Sequence, residues 1–94
     1  MASIRELKKD IHYVTNELVI ECMIADAVFE GKHENKLSEL ATKLLTKREE
    51  FIDRINAYRY VKNEENAGEY FKKIRIELRD LVQEILAEVN KLNK

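Results

Sequence analysis

Proline is absent from this 94-residue chain and glycine occurs only at Gly31 and Gly68. With no other helix breaker, these two positions divide the chain into three uninterrupted pieces. A lone cysteine, Cys22, excludes an intramolecular disulfide and leaves a reduced cytoplasm as the expected compartment. Charge of one sign is lacking too: 17 Lys and Arg stand against 18 Asp and Glu, a formal net charge of -1. That balance offers no bulk attraction to nucleic acid or to an anionic membrane. The most apolar run, Leu18 to Phe29, is interrupted by Glu21 and Asp26 and falls short of the roughly 20 residues a membrane-spanning helix needs. The first residues turn charged at once at Arg5 and Glu6, where a secretory signal needs an unbroken apolar stretch.

What is present suits a helical bundle, in which half of each helix faces inward and half faces water: 45% of residues are hydrophobic and 37% charged. In the first piece Ile4, Leu7, Ile11, Val14, Leu18, Cys22, Ala25 and Phe29 recur at spacings of three and four, which places them on one helical face. Ser3 with Glu6 forms a capping box and Gly31 a stop. The second piece opens at Asn35 as cap and carries Leu37, Leu40, Leu44, Phe51, Ile55 and Tyr58 as its stripe. Glu39 with Lys43 and Glu50 with Arg54 are favourably oriented i,i+4 pairs. A polar link, Asn63 to Asn66, precedes a third helix with Asn66 and Glu69 as capping pair and a stripe including Phe71, Ile74, Leu78, Leu81 and Ile85. The expectation is one all-α domain, an antiparallel up-down-up bundle of three long helices over residues 3–30, 35–62 and 67–93.

Motifs that carry chemistry are incomplete. Glu30 and His33 have the E-x-x-H spacing of carboxylate-bridged di-iron bundles, but Gly31 lies between them and His12, the other histidine, has no matching glutamate. His33-Glu34 begins an H-E-x-x-H zinc motif, yet Leu37 stands where the second histidine belongs. Gly31-Lys32 has neither the upstream glycine nor the strand of a phosphate-binding loop. Cys22 lies in the first apolar stripe and reads as a small buried hydrophobe. Tyr58-Arg59-Tyr60-Val61-Lys62, with Lys72, Lys73, Arg75 and Arg79, has the aromatic and basic composition of a single-strand nucleic-acid surface, but Glu64, Glu65, Glu69, Glu77 and Asp80 blunt its potential. No metal, cofactor, nucleic acid or membrane is expected as partner.

The segments Ile4 to Ile11 and Glu17 to Cys22, with Thr46 to Asn56, resemble a group of short, uncharacterised helical bacterial proteins. That resemblance implies no activity, ligand or site. In size, helical content and long first helix the chain is also similar in architecture to the helical chorismate mutases. Those enzymes grip a dicarboxylate with inward arginines and lysines, whereas the stripes here are apolar and only Lys47 and Arg48 lie near a stripe position. A small enzyme of that type is the alternative reading.

The first helix has more apolar residues than one stripe can use. At about 100° per residue, Tyr13, Ile20, Ile24 and Ala27 form a second stripe approximately opposite the first. A helix apolar on two sides needs cover on both. Either the first helix is central, flanked by both others, or a second copy of the chain covers it. The expectation is a non-enzymatic interaction module, a homodimer joined at Tyr13, Ile20, Ile24 and Ala27.

Overall fold

A computed structural model describes residues 4–61 and 66–92. They form three helices, α1 (Ile4–Val28), α2 (Glu34–Val61) and α3 (Ala67–Lys91). The side-chain pairs between them give their directions. Lys8 donates to Asn56 at 2.5 Å and Arg48 to Asn16 at 3.1 Å, so α2 runs antiparallel to α1. Lys36 with Glu88, Lys43 with Glu84 and Arg54 with Glu77 set α3 antiparallel to α2. Arg75 reaches Asp10 at 3.9 Å, which aligns α3 with α1. The result is the all-α up-down-up bundle, 50 Å long and 19 by 18 Å across.

The turn between α1 and α2 is built differently from the sequence expectation. The Gly31 amide donates to Asp26 O at 3.0 Å and the Glu30 amide to Ala27 O at 3.2 Å. These are the two crossed bonds of a Schellman ending, and they satisfy carbonyls the last turn would otherwise leave unpaired. The residue forced into the left-handed region just past the helix is Glu30, at φ 53°, followed by Gly31 at φ 77°. Helix α1 therefore stops at Val28, before its glycine. Asn35 lies inside the first turn of α2 rather than capping it, because the helix already begins at Glu34. At α3 the expected cap forms: Asn66 is extended and its side chain accepts from the Glu69 amide at 2.8 Å. The Ser3 half of the first capping box, the link 62–65 and the end of the third helix beyond Leu92 lie outside the described residues.

The core runs the length of the bundle. Leu7, Ile11, Leu18 and Cys22 of α1 meet Leu37, Leu44, Phe51 and Ile55 of α2 and Ile74, Leu81 and Ile85 of α3. Ile4, expected inside, is 44% exposed, and Val14 is only partly buried. Thr15 takes the interior place beside it, fully buried, with its hydroxyl donating to Ile11 O at 2.7 Å. A backbone carbonyl one turn back thus satisfies a hydroxyl that would otherwise be costly in an apolar core. Thr15, Cys22 and Ala25 are small, and it is between α1 and α2 that the backbones approach over the greatest length. Helix α3 is held by larger side chains and by the charge pairs at its margin. Lys43 and Arg54, expected to pair within α2, reach across to Glu84 and Glu77 of α3. Tyr70, whose hydroxyl donates to Arg54 O at 2.7 Å, joins Tyr58 and Phe71 in an aromatic cluster where α2 ends and α3 begins.

Candidate functional site

With about 100° between consecutive side chains, a straight α1 that buries Leu7, Ile11, Thr15, Leu18, Cys22 and Ala25 must turn the side chains between them to the opposite face. In its second half that face is apolar. Tyr13, Ile20 and Ile24 are 66%, 48% and 52% exposed, and Ala27 is exposed as well. Neither α2 nor α3 covers them, which rules out the arrangement with α1 central and buried on both sides. Met23 and Val28, at 65% and 68% exposed, widen the stripe on either side. They lie about 60–80° from its centre at the helical pitch, outside the strict seven-residue spacing that singles out Tyr13, Ile20 and Ala27. Val19, also surplus to the inner stripe on sequence, packs partly against the core. Asn16, Glu17 and Glu21 share the outer side of α1, so the apolar surface begins in earnest at Ile20 and ends at the turn.

A groove of about 280 Å³ adjoins this face where α1 meets the start of α2. Met23, Asp26, Glu34, Leu37 and Ser38 line it, with Cys22 at the helix contact. Asp26 Oδ1 is buried there without a hydrogen-bond donor. Cys22 is 3% exposed; burial pushes its thiol up from the ordinary value, and the neighbouring Glu21 carboxylate adds to the effect. A protonated, enclosed thiol is a poor nucleophile and a poor metal ligand.

The remaining sequence candidates do not come together. Glu30 and His33 occupy the turn instead of one helical face, and the His33 ring stands edge-on to Phe29 at 4.9 Å. Among the described residues, no three His, Cys, Asp or Glu side chains converge as a metal site would require. Arg48 and Lys47, the cations nearest a stripe, remain partly exposed. Arg48 donates to Asn16, while its buried Nε has Glu49 at 3.8 Å. Thr15 is the one buried polar side chain among the described residues, so no ring of inward cations surrounds a cleft. Of the Tyr58–Lys62 stretch only Tyr58 has a described side chain, and it packs on Tyr70 and Phe71. No described helix is long and apolar enough to cross a membrane. No protein-family model, curated protein or solved structure matches the chain.

Proposed function

We propose that this chain is a non-enzymatic interaction module, a cytoplasmic homodimer joined through the outer face of α1. The observation that carries the reading is the exposed stripe Tyr13, Ile20, Ile24 and Ala27, directly opposite the buried stripe of the same helix. Surface apolar residues scattered singly are ordinary, but Ile20, Ile24 and Ala27, flanked by Met23 and Val28, form a contiguous patch of the kind that marks an interaction site, with Tyr13 two turns before it. The apolar interior supports the module over a mutase-like enzyme, which needs charged groups facing a substrate. The buried, protonated state of the single thiol suits a reducing compartment.

Magnitudes define how much of the face takes part. Ile20 and Ile24 are already half-buried, so covering each gains about half of the usual 1.5–3 kcal/mol, and four such side chains in a dimer give about 3–6 kcal/mol. Association costs on the order of 4–15 kcal/mol in lost rigid-body freedom. The two isoleucines alone do not hold a dimer together; Met23, Val28 and Tyr13 belong to the contact.

Light scattering on the parent chain and on Ile24→Glu tests the proposal. The parent is expected to be a dimer and the variant a monomer, because each introduced carboxylate is pressed against the apolar face of the second copy without a counter-charge. Helical circular dichroism should be unchanged, since the position faces outward. Met23→Glu, at a still more exposed position, is the second variant should the first lose structure. A parent that stays monomeric at several hundred micromolar overturns the reading.

A further inference from the structure

We propose that the two copies of α1 run parallel, with Lys9 of each copy against Asp10 of the other. This rests on the self-association proposed above and adds its direction. The outer face of α1 repeats every seven residues. Tyr13, Ile20 and Ala27 follow its centre; Lys9, Asn16 and Met23 follow one edge; Asp10, Glu17 and Ile24 follow the other. All nine are exposed. The two edges therefore differ in charge at the first level, in polarity at the second, and both are apolar at the third.

When two identical helices pack side by side in parallel about a two-fold axis, opposite edges meet at the same level; when they pack antiparallel, like edges meet in reversed order. The parallel pair matches every level. Lys9 faces Asp10 of the second copy, Asn16 faces Glu17, and Met23 faces Ile24. The oxygen of Asn16 already accepts from Arg48 at 3.1 Å, which leaves its amide hydrogens to donate to the Glu17 carboxylate of the second copy. Lys9 and Glu17 have no hydrogen-bond or ion-pair partner among the described residues, and Asp10 has only the distant Arg75 at 3.9 Å. The antiparallel pair centred between Ile20 and Ile24 does worse. It carries Lys9 and Asp10 past the end of the second α1 and lays each Glu17 carboxylate against the apolar turn Ala27–Val28. Desolvating a carboxylate against aliphatic groups is costly.

Cross-linking through a cysteine introduced on the outer face separates the two. In the parallel dimer residues 13 and 27 each lie beside their own symmetry mates, so Tyr13→Cys and Ala27→Cys should both give disulfide-linked dimers on oxidation. In the antiparallel dimer the mates are about 27 Å and about 15 Å apart along the axis at 1.5 Å per residue, and neither pair can bridge. The parent, whose Cys22 is buried, is the control and should give no link. Lys9→Glu removes two exposed charge pairs per dimer and should weaken it by about twofold to thirtyfold, and adding Asp10→Lys should restore it. Dimers by light scattering that fail to cross-link at both positions overturn the parallel direction and leave self-association standing. A monomeric parent overturns both.

Discussion

Arg54 of α2 and Glu77 of α3 form a two-pronged ion pair, with Nη1 to Oε1 at 2.9 Å and Nη2 to Oε2 at 2.8 Å. The parallel geometry of guanidinium and carboxylate makes both bonds at once, and the same arginine's carbonyl accepts from Tyr70. The two bonds tie α2 to α3 near the aromatic end of the bundle.

Arg54 holds the Glu77 carboxyl below its ordinary value, chiefly through the side-chain hydrogen bonds, and Glu77 in turn holds Arg54 in its charged form. A carboxylate whose value is lowered by folding contributes stability above its unfolded value of about 4.3, and that contribution disappears as the pH falls through the lower folded value. Both side chains are partly exposed, so the pair is worth about 1 kcal/mol or less. Glu77→Gln is therefore expected to shift the urea midpoint downward at pH 7 and to leave it unchanged below the folded value. A gap between parent and variant that does not narrow as the pH falls from 7 to 2 contradicts this account.

Glu30 pays a conformational penalty that Gly31 does not. Both have positive φ, but only glycine adopts that region without a Cβ clash. Glu30→Gly should stabilise the fold by about 0.5–1 kcal/mol, since relief of the strain exceeds the added freedom of the unfolded chain. Gly31→Ala should destabilise it by about 1 kcal/mol although nothing lies within 4 Å of the added methyl, because the cost is in the backbone and not in packing. Denaturant titrations of the two variants read opposite signs; equal signs would refute the turn geometry.

Cys22 and Met23 are neighbours in sequence but face opposite environments, one in the core and one at the outer edge of α1. Thiol reagents at neutral pH should modify Cys22 at least about tenfold more slowly in the native protein than in denaturant, because burial both excludes the reagent and disfavours the thiolate. Equal rates would place the thiol at the surface.

Much of this architecture is legible in one dimension. Helical periodicity repeats over so many turns that the stripes through Leu18 and Cys22, Leu40 and Leu44, and Ile74 and Leu78 identify three helices and their inner faces. Asn66 as cap follows from a local hydrogen bond three residues on. The same periodicity isolates Tyr13, Ile20, Ile24 and Ala27 as surplus. Thr15 escapes detection because a polar residue type gives no hydropathic signal, while its hydroxyl is satisfied by a carbonyl on its own helix. Asn35 suggests a helix start one residue late and Gly31 a helix end two residues late, since good capping residues also occur just inside or beyond a terminus.

What the sequence by itself determines is the set of interactions that act within a few residues: helix, stripe, cap and break. The tertiary structure decides what depends on the distance between elements. It sends Lys43 and Arg54 to Glu84 and Glu77 on α3 instead of to their own helix, because carboxylates there lie opposite once the hydrophobic faces dock. It also decides that the second stripe of α1 is open. Two helices can close around only one side of a third when all three share a single core, so the face opposite that core stays open.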